Sequence, residues 1–239
     1  MEQIQLLALQ NFPLIEPGDH LDSIIFDSIL KNHIDICDGD VFIIAQKIIS
    51  KAEDRYLNLS SLSLSSEAVS LSEKMNRDPY FIQAVINESN EIVSIGKNVI
   101  IVEHKLGFIN INAGIDKSNI SQEINQVLLL PENPSKSADL IQKKLSQKLE
   151  KNISVVITDS MTRPYRSGIT NFALASANLQ SLIDLTGDKD IYGNLLKNTE
   201  IAIADEIAAA SGLLMGQGSD MQPVILLKGF NKDKYAINN

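Results

Sequence analysis

The sequence predicts an α/β or mixed α+β protein, and three observations indicate that class. Six short apolar runs, rich in branched residues and bounded by Gly, Asp, Asn or Pro, are typical of strands. Segments with apolar residues at helical spacing lie between these runs. The chain has 239 residues and is 44% hydrophobic, which is enough to bury a substantial core in one domain or two lobes. The order of the strands in a sheet is left open.

The predicted elements alternate along the chain. The strands are Ile4–Leu9, Val41–Ala45, Val99–Val102, Phe108–Ile111, Ile153–Ile157 and Val224–Leu227. The helices are Asp19–Lys31, Ser66–Met75, Pro79–Glu88, Pro134–Leu149 and Thr199–Met215. Asp19 is expected to cap the first helix, and Asp78 stands before Pro79 as a capping residue before proline at the first helical position. The last helix is almost entirely apolar, so we expect it to be buried in a core or a subunit interface.

Composition excludes several classes of protein. A formal net charge of −9 argues against general nucleic-acid binding, which needs a basic surface. The single cysteine, Cys37, excludes an intrachain disulfide and a multi-cysteine zinc site, and we interpret it as a small buried hydrophobe. The first residues lack the pattern of a signal peptide, and no apolar stretch approaches the ~20 residues that span a bilayer. We therefore expect a soluble cytoplasmic protein.

Known nucleotide-binding motifs are absent, but two lysines offer another way to bind phosphate. The chain has neither Gly-x-x-x-x-Gly-Lys-Ser/Thr nor Gly-x-Gly-x-x-Gly, so a nucleotide site would not be a P-loop or a standard dinucleotide fold. Lys47 and Lys51 follow a predicted strand and are four residues apart, so on a helix they share a face and reach one polyphosphate. The alternative is an ordinary solvated basic face.

Two carboxylates and two arginines follow predicted strands. Asp116 and Asp159 each lie just past an apolar segment, and two carboxylates can hold a hard divalent cation. Arg163 and Arg166 are three residues apart around a proline, which suits an oxyanion clamp. Metal-assisted chemistry on an anionic substrate is the functional interpretation. An Asx turn at Asp116, a helix N-cap at Asp159 and exposed arginines are the structural alternatives.

The segment Gly216-Gln-Gly218 and the histidines carry weaker signals. Backbone N–H groups of a Gly-x-Gly segment can cradle a phosphate, although helix C-capping explains the same pattern. His20 and His33 are interpreted as structural or surface residues. His104 is a weak site candidate because it precedes the segment that ends at Asp116.

Ordered motifs over more than 200 residues resemble the coenzyme F-420-0:γ-glutamyl ligase family, also called CofE. The matching pieces are Phe12-Pro-Leu-Ile with Pro17-Gly-Asp, Gly39-Asp-Val with Gln46-Lys and Ser50-Lys-Ala-Glu53, Asp78-Pro79, Asn112-Ala-Gly-Ile-Asp-Lys-Ser-Asn119, Leu129-Leu-Pro131, Thr158-Asp-Ser with Arg163-Pro-Tyr-Arg166, Ala204-Asp-Glu206 and Leu214-Met-Gly-Gln-Gly218.

The resemblance implies a ligase with two small co-substrates. It would join L-glutamate to the phospholactyl carboxylate of a deazaflavin coenzyme precursor, with GTP activating that carboxylate as an acyl phosphate. Mn²⁺ or Mg²⁺, and a monovalent cation such as K⁺, are implied as cofactors. The implied fold is two-lobed, with residues 1–75 and 200–239 in one lobe and 76–199 in the other, and the active unit is a homodimer. Neither nucleic acid nor a membrane is an implied partner.

The resemblance also assigns roles to residues. Asp116 and Asp159 are similar to ligands of one metal, and Ser160, in place of the usual Thr, and Gln217 to contributors to a second. We infer from their chemistry that Arg163 and Arg166 bind phosphate or a substrate carboxylate. Glu53, His104 and Glu206 are candidates for the general base. The positions that resemble the GTP site are Phe12, Pro13, Leu14, Ile15, Gln46, Lys47, Lys51, Asn119, Met215, Gly216, Gln217, Gly218, Ser219, Asp220, Met221 and Gln222.

Some flanking positions depart from the family pattern. Asp54 and Thr162 each replace a Gly, Tyr165 replaces a Trp, and Thr170–Leu179 is more polar than is typical. The identity of the acceptor is therefore less secure than the nucleotide chemistry, and a ligase for another phosphorylated carboxylate is the main alternative. A nucleotide-binding regulator without turnover and a metal-dependent phosphohydrolase are the alternatives from other classes.

Overall fold

The computed structural model describes residues 3–96, 99–120, 125–163 and 165–231. The strands are β1 (Gln5–Ala8), β2 (Val41–Ala45), β3 (Tyr56–Asn58), β4 (Ser89–Ile95), β5 (Ile100–His104), β6 (Ile109–Ile111), β7 (Gln126–Leu128), β8 (Ser154–Arg163), β9 (Arg166–Ala177), β10 (Ile183–Asp184), β11 (Glu200–Ile201) and β12 (Val224–Lys228). The helices are α1 (Leu21–Lys31), α2 (Gln46–Ala52), α3 (Ser66–Met75), α4 (Pro79–Asn87), α5 (Pro134–Leu149) and α6 (Ile203–Met215).

A five-stranded sheet in the order β1-β12-β2-β8-β9 forms the centre of the larger core. β2 and β8 run parallel, with Ala45 opposite Thr158, and the other neighbours are antiparallel. Alternate residues of one strand face opposite sides of a sheet, so Phe42 and Ile44 join one hydrophobic cluster whereas Val41 and Ile43 join another. Both faces of the sheet are therefore buried.

Helices cover the two faces of this sheet. α1 and α5 pack on one face through residues such as Ile25 and Leu145, and α6 packs on the other through Ile207 and Ala208. Three layers result, with the sheet as the middle layer.

A third hydrophobic cluster, away from the five-stranded sheet, lies between residues 57 and 129. It joins α3 and α4 to β5 and β7, with Phe81, Ile82 and Val102 fully or almost fully buried. A three-stranded sheet, β4-β5-β6, and the pair β3-β7 complete this part. The cluster includes residues on both sides of position 75, and α5, β8 and β9 pack with β1 and β2. These clusters do not coincide with the two predicted lobes, residues 1–75 with 200–239 and residues 76–199. The division into two lobes stays a prediction.

The mixed α+β class is confirmed, and all six predicted strands and five predicted helices are present. Asp78 accepts a hydrogen bond from the N–H of Tyr80 and caps α4. The capping role predicted for Asp19 is wrong, because α1 begins after His20 without a side-chain cap and Asp19 Oδ2 accepts from the N–H of Glu16. Cys37 is exposed rather than buried, since it lies in the turn before β2, where its N–H donates to Asp40 Oδ2.

Two other boundaries differ from the prediction. β8 does not end at Ile157 but continues to Arg163, because it pairs along its whole length with β9, which the sequence did not indicate. Asp159 is therefore inside a strand, and the interpretation as a helix N-cap is wrong. α6 begins at Ile203 rather than Thr199, because Glu200 and Ile201 pair with β10.

α6 is buried along one side, through residues such as Ile207 and Ser211, while Leu213 and Leu214 remain exposed. Within the described ranges, no helix is long and apolar enough to cross a membrane.

Candidate active site

A cavity of about 920 Å³ lies where β2 and β8 run side by side. The segment after β1, the junction of β2 and α2, the middle of β8 and the loop after α6 form its walls. Of the residues predicted to bind nucleotide or metal, those that line it are Phe12, Pro13, Leu14, Ile15, Gln46, Lys47, Lys51, Asp116, Asn119, Asp159, Ser160, Met215, Gly216, Gln217, Gly218, Ser219, Met221 and Gln222. Segments that are far apart in the chain therefore line one cavity. The binding roles of these residues stay predictions.

The two carboxylates of the cavity interact with each other. Asp116 is fixed by its backbone, which exchanges hydrogen bonds of 2.9 and 3.0 Å with Leu128, and Asp159 projects from β8. Burial, and next the charge of Asp116, raises the pKa of Asp159 to about 7. Burial also raises the pKa of Asp116, although Lys47 and Gln46 oppose that effect. Two half-buried carboxylates, of which one raises the pKa of the other, are suited to a bound cation.

Neutral oxygen donors complete a donor set that fits a divalent cation. In the ranges that the structure describes, no group of three or more His, Cys, Asp or Glu side chains forms a metal site. Asp116 and Asp159 would therefore hold one cation together with ligand or water oxygens, and the Ser160 hydroxyl and the Gln217 amide oxygen would contribute to a second, since all of these oxygens suit Mg²⁺ or Mn²⁺.

Lys47 and Lys51 lie on α2, one turn apart, and both line the cavity as the sequence predicted for a helical exit. Lys47 Nζ is 3.4 Å from Asp116 Oδ1 and donates to the carbonyl of Ser118. Burial, and next the charge of Lys47, lowers the pKa of Lys51. Two partly desolvated ammonium groups beside a carboxylate pair can neutralise a polyphosphate.

The side chain of Gln46 makes hydrogen bonds to two other residues of the protein. Its Nε2 donates to Asp116 Oδ2 at 2.8 Å, and its Oε1 accepts from the hydroxyl of Ser50 at 2.8 Å. Both ends of the amide therefore have a partner in the protein, and the side chain orients Asp116. The contact of Gln46 with nucleotide stays a prediction.

The loop after α6 is shaped by Asp220. Gly216 has φ +69°, and a Cβ there would lie 2.1 Å from Asp220 Oδ2, so only glycine fits. Asp220 Oδ2 also accepts from the N–H of Gly218, while Asn119 Nδ2 donates to the Gly218 carbonyl at 2.9 Å. Asp220 does not line the cavity, and its contact with nucleotide stays a prediction.

Arg163 and Arg166 do not line the cavity. They are directly opposite each other where β8 ends and β9 begins, beside the fully exposed Tyr165. Among the described residues, Arg163 Nε has no hydrogen-bond partner although it is buried. Pro164 lies outside the described residues. The two arginines are neighbours across the strand pair, but neither is on the wall that carries Asp116 and Asp159.

The three candidate general bases also lie off the cavity. Glu53 accepts from the hydroxyl of Ser137, and Glu206 is exposed on α6. His104 is buried, and its Nδ1 accepts from the N–H of Leu106 at 2.9 Å, so its Nε2 carries the proton of the neutral ring. Burial lowers the pKa of His104 to about 4. The structure thus places none of the three on the wall that carries Asp116 and Asp159, and their role stays a prediction.

Sequence reasoning missed several residues of the cavity wall. Tyr56 lines it and donates from its hydroxyl to the Ile120 carbonyl, while Asn171 and Glu16 add a carboxamide and a carboxylate. Asp54, noted only as a departure from the family pattern, also lines the cavity and has φ +53°, which suits the glycine that it replaces. The unusual polarity of Thr170–Leu179 was the one signal for Asn171.

The fold and the site together define an α+β protein with one cavity that is lined by carboxylates, lysines and carboxamides. A sequence model of the F420-0:Gamma-glutamyl ligase family matches residues 10–229. Coenzyme F420:L-glutamate ligase from Methanothermobacter thermautotrophicus is 35% identical over 227 residues, which cover 95% of this chain and 89% of the relative. The enzyme of the same description from Methanocaldococcus jannaschii is 36% identical over 229 residues, 96% of this chain and 89% of the relative. That from Methanosarcina mazei is 37% identical over 229 residues, with coverages of 96% and 87%. The chain belongs to the F420-0:Gamma-glutamyl ligase family.

Proposed function

We propose that this chain is a GTP-dependent ligase that joins L-glutamate to the phospholactyl carboxylate of coenzyme F420-0. The observation that supports the proposal most directly is the combination of two coupled carboxylates, two lysines and a glycine-shaped loop around one cavity. Membership of the family and the names of its relatives supply the acceptor and the amino acid.

The proposed reaction has two steps. The acceptor carboxylate oxygen attacks the γ-phosphorus of GTP, which breaks the bond to the β-phosphate bridging oxygen and releases GDP. The amine of glutamate then attacks the acyl phosphate carbon, an amide bond forms, and phosphate leaves while the amine proton passes to solvent or phosphate. Divalent cations, when bound, would neutralise the crowded phosphate oxygens.

The residues of the chain would bind and orient the reactants. Lys47 and Lys51 would offset phosphate charge, and the loop at Gly216 and Gly218 would bring backbone N–H groups close to the nucleotide. Gln46 would keep Asp116 in the orientation that a cation requires. The apolar residues Phe12 and Ile15 form a wall of the same cavity and help to exclude water.

One observation favours a second acceptor. Asp54 places an additional carboxylate on the cavity wall at a position where the family pattern has glycine, and the charge of Asp54 contributes, after burial and Glu16, to a raised pKa of Tyr56. A ligase of the same chemistry that acts on a different phosphorylated carboxylate is therefore the alternative.

The proposal includes a cytoplasmic homodimer. Large apolar side chains that remain exposed, such as Tyr192, Ile191 and Leu213, supply a surface that a second copy would cover. Light scattering coupled to size-exclusion chromatography measures the mass, for which we expect twice 26.3 kDa.

The test is the release of GDP from GTP with Mn²⁺ or Mg²⁺, with and without F420-0 and L-glutamate, and with ATP as the comparison nucleotide. Mass spectrometry of the acceptor follows glutamylation. Turnover that requires both co-substrates supports the ligase. GTP binding without turnover supports the regulator. Phosphate release in the absence of glutamate supports a phosphohydrolase. If glutamate is joined to another phosphorylated carboxylate but not to F420-0, the alternative acceptor is supported.

A further inference from the structure

Asn171 is a buried amide on the cavity wall that neither a predicted catalytic role nor a predicted metal-binding role includes. It projects from β9 and is only 4% exposed. In the β8–β9 ladder it lies directly opposite Ser160, one of the two neutral residues predicted to contribute to a metal site. Both residues line the cavity.

The side chain of Asn171 contacts the other neutral residue, Gln217. Gln217 Nε2 donates to Asn171 Oδ1 at 2.8 Å. A carboxamide has a donor end and an acceptor end, so this bond engages the nitrogen of Gln217 and leaves its oxygen to serve as a ligand. Rotation of the Gln217 amide would break the bond and expose the nitrogen, which cannot bind a cation.

Asn171 is itself held in place by α6. Its Nδ2 lies 3.6 Å from the sulfur of Met215, and a Cβ on Gly212 would lie 3.3 Å from its Cγ. The absence of a side chain at Gly212 therefore gives Asn171 its space. The helix and the strand together fix the rotamer on which Gln217 depends.

We propose that Asn171 is a positioning residue that sets the orientation of the Gln217 amide, so that the amide oxygen is a ligand of the divalent cation. The inference rests on the metal site of the proposed function. It matters because the described residues include no group of three or more His, Cys, Asp or Glu side chains that could hold a metal ion, so affinity for the cation depends on correctly oriented neutral oxygens.

The test measures Mn²⁺ binding to the purified protein by electron paramagnetic resonance, in which free Mn²⁺ gives the signal. Asn171→Leu keeps a similar volume but removes the acceptor, and we expect about 10- to 100-fold weaker binding, the usual cost of losing a residue that orients a ligand. Asn171→Asp retains an acceptor for Gln217 and should bind Mn²⁺ at least as tightly as the wild type. Ser176→Ala, on the same strand but outside the cavity, is the matched control and should be unchanged.

A double-mutant cycle separates positioning from direct ligation. If Asn171 acts through Gln217, Asn171→Leu combined with Gln217→Leu should bind Mn²⁺ no more weakly than Gln217→Leu alone. Additive losses would show that Asn171 contacts the cation by itself and would overturn the proposal. Unchanged binding in Asn171→Leu would overturn it as well.

Gly212→Ala provides a second approach if Asn171→Leu does not fold. The added methyl group must push against Asn171, whereas alanine favours the helix itself. We expect weaker Mn²⁺ binding without loss of thermal stability, and unchanged binding contradicts the proposal. Because the readout is metal affinity, absence of glutamylation in the wild type would refute the proposed function and leave this inference standing.

Discussion

The side chain of Gln46 donates a 2.8 Å hydrogen bond to Oδ2 of Asp116, and the hydroxyl of Ser50 holds the opposite end of the same amide. Gln46 is 2% exposed and Ser50 is fully buried, so this chain of contacts has no competition from water. One carboxylate of the cavity is thereby oriented before any ligand arrives, which is the preorganisation that charge-stabilising sites need.

Replacing Gln46 should lower turnover more than it lowers stability. In Gln46→Leu, Asp116 loses a buried donor, and we expect about 10- to 100-fold slower GDP formation from the lost orientation. Steady-state kinetics and thermal unfolding measure the two effects. Ser50→Ala removes only the hydroxyl that holds the Gln46 amide, so it should decrease turnover less. Equal turnover in the wild type and Gln46→Leu would contradict the orienting role of Gln46.

Each carboxylate should be essential for turnover. Asp159→Asn and Asp116→Asn keep the shape of the side chain but remove the charge that a cation needs, so we expect turnover to fall by roughly 100-fold or more with circular dichroism unchanged. Asp139→Asn, on the exposed side of α5, is the control. Near-full activity in either of the first two variants would refute the two-carboxylate metal site.

Lys51 should contribute to nucleotide affinity. Lys51→Met removes the charge and keeps most of the packing, and we expect about a 10-fold higher KM for GTP, equivalent to ~1.4 kcal/mol. Lys143→Met, on the exposed side of α5, controls for the general loss of a positive charge. A KM that shifts equally in both variants would show that only long-range charge is involved.

Gly216 should be intolerant of a side chain, unlike Gly218. In Gly216→Ala the methyl group meets Asp220 Oδ2, and the backbone has φ +69° and ψ −176°, so we expect a loss of about 1–3 kcal/mol in the free energy of unfolding from backbone strain alone. At Gly218 a Cβ would be 3.7 Å from the same oxygen, an ordinary contact, and the corresponding alanine variant is the matched control. Urea denaturation compares them, and identical midpoints would contradict the steric account.

His104 should make the protein sensitive to acid. Because burial lowers its pKa from 6.5 to about 4, the unfolded chain binds a proton more readily than the folded one between these values. The free energy of unfolding is therefore unaffected by His104 above pH 6.5 and decreases as the pH falls toward 4. At pH 4.5 we expect the decrease to be on the order of 2 kcal/mol.

His104→Phe keeps a ring that can stack on Phe108, where the two rings are 5.2 Å apart, but it removes the titratable group. The difference in unfolding free energy between pH 7 and pH 4.5 should therefore be smaller in this variant than in the wild type. His20→Gln, at an exposed histidine, should retain the wild-type dependence. A variant that loses as much stability as the wild type would exclude His104 as the cause.

Local patterns in the sequence determined most of the elements. β2 and α3 have the predicted boundaries because their signals are local. A run of branched residues follows a turn in β2, and a helical repeat begins after a capping serine in α3. Motif spacing also indicated Asp116, Asp159 and Lys47, since each stands beside a recognisable apolar segment. The family followed from ordered motifs over most of the chain, and comparison with known proteins confirms it.

Tertiary structure alone decided which of these residues meet. β9 has an ambiguous pattern, and its pairing with β8 extends that strand beyond Asp159 and brings Asn171 opposite Ser160. Hydrogen bonds such as that from Gln217 to Asn171 join residues 46 positions apart, so no local pattern can encode them. The same pairing carries Arg163 away from the cavity. Side-chain chemistry is a property of each residue and is read from the sequence, whereas proximity depends on how non-local strands pair and pack.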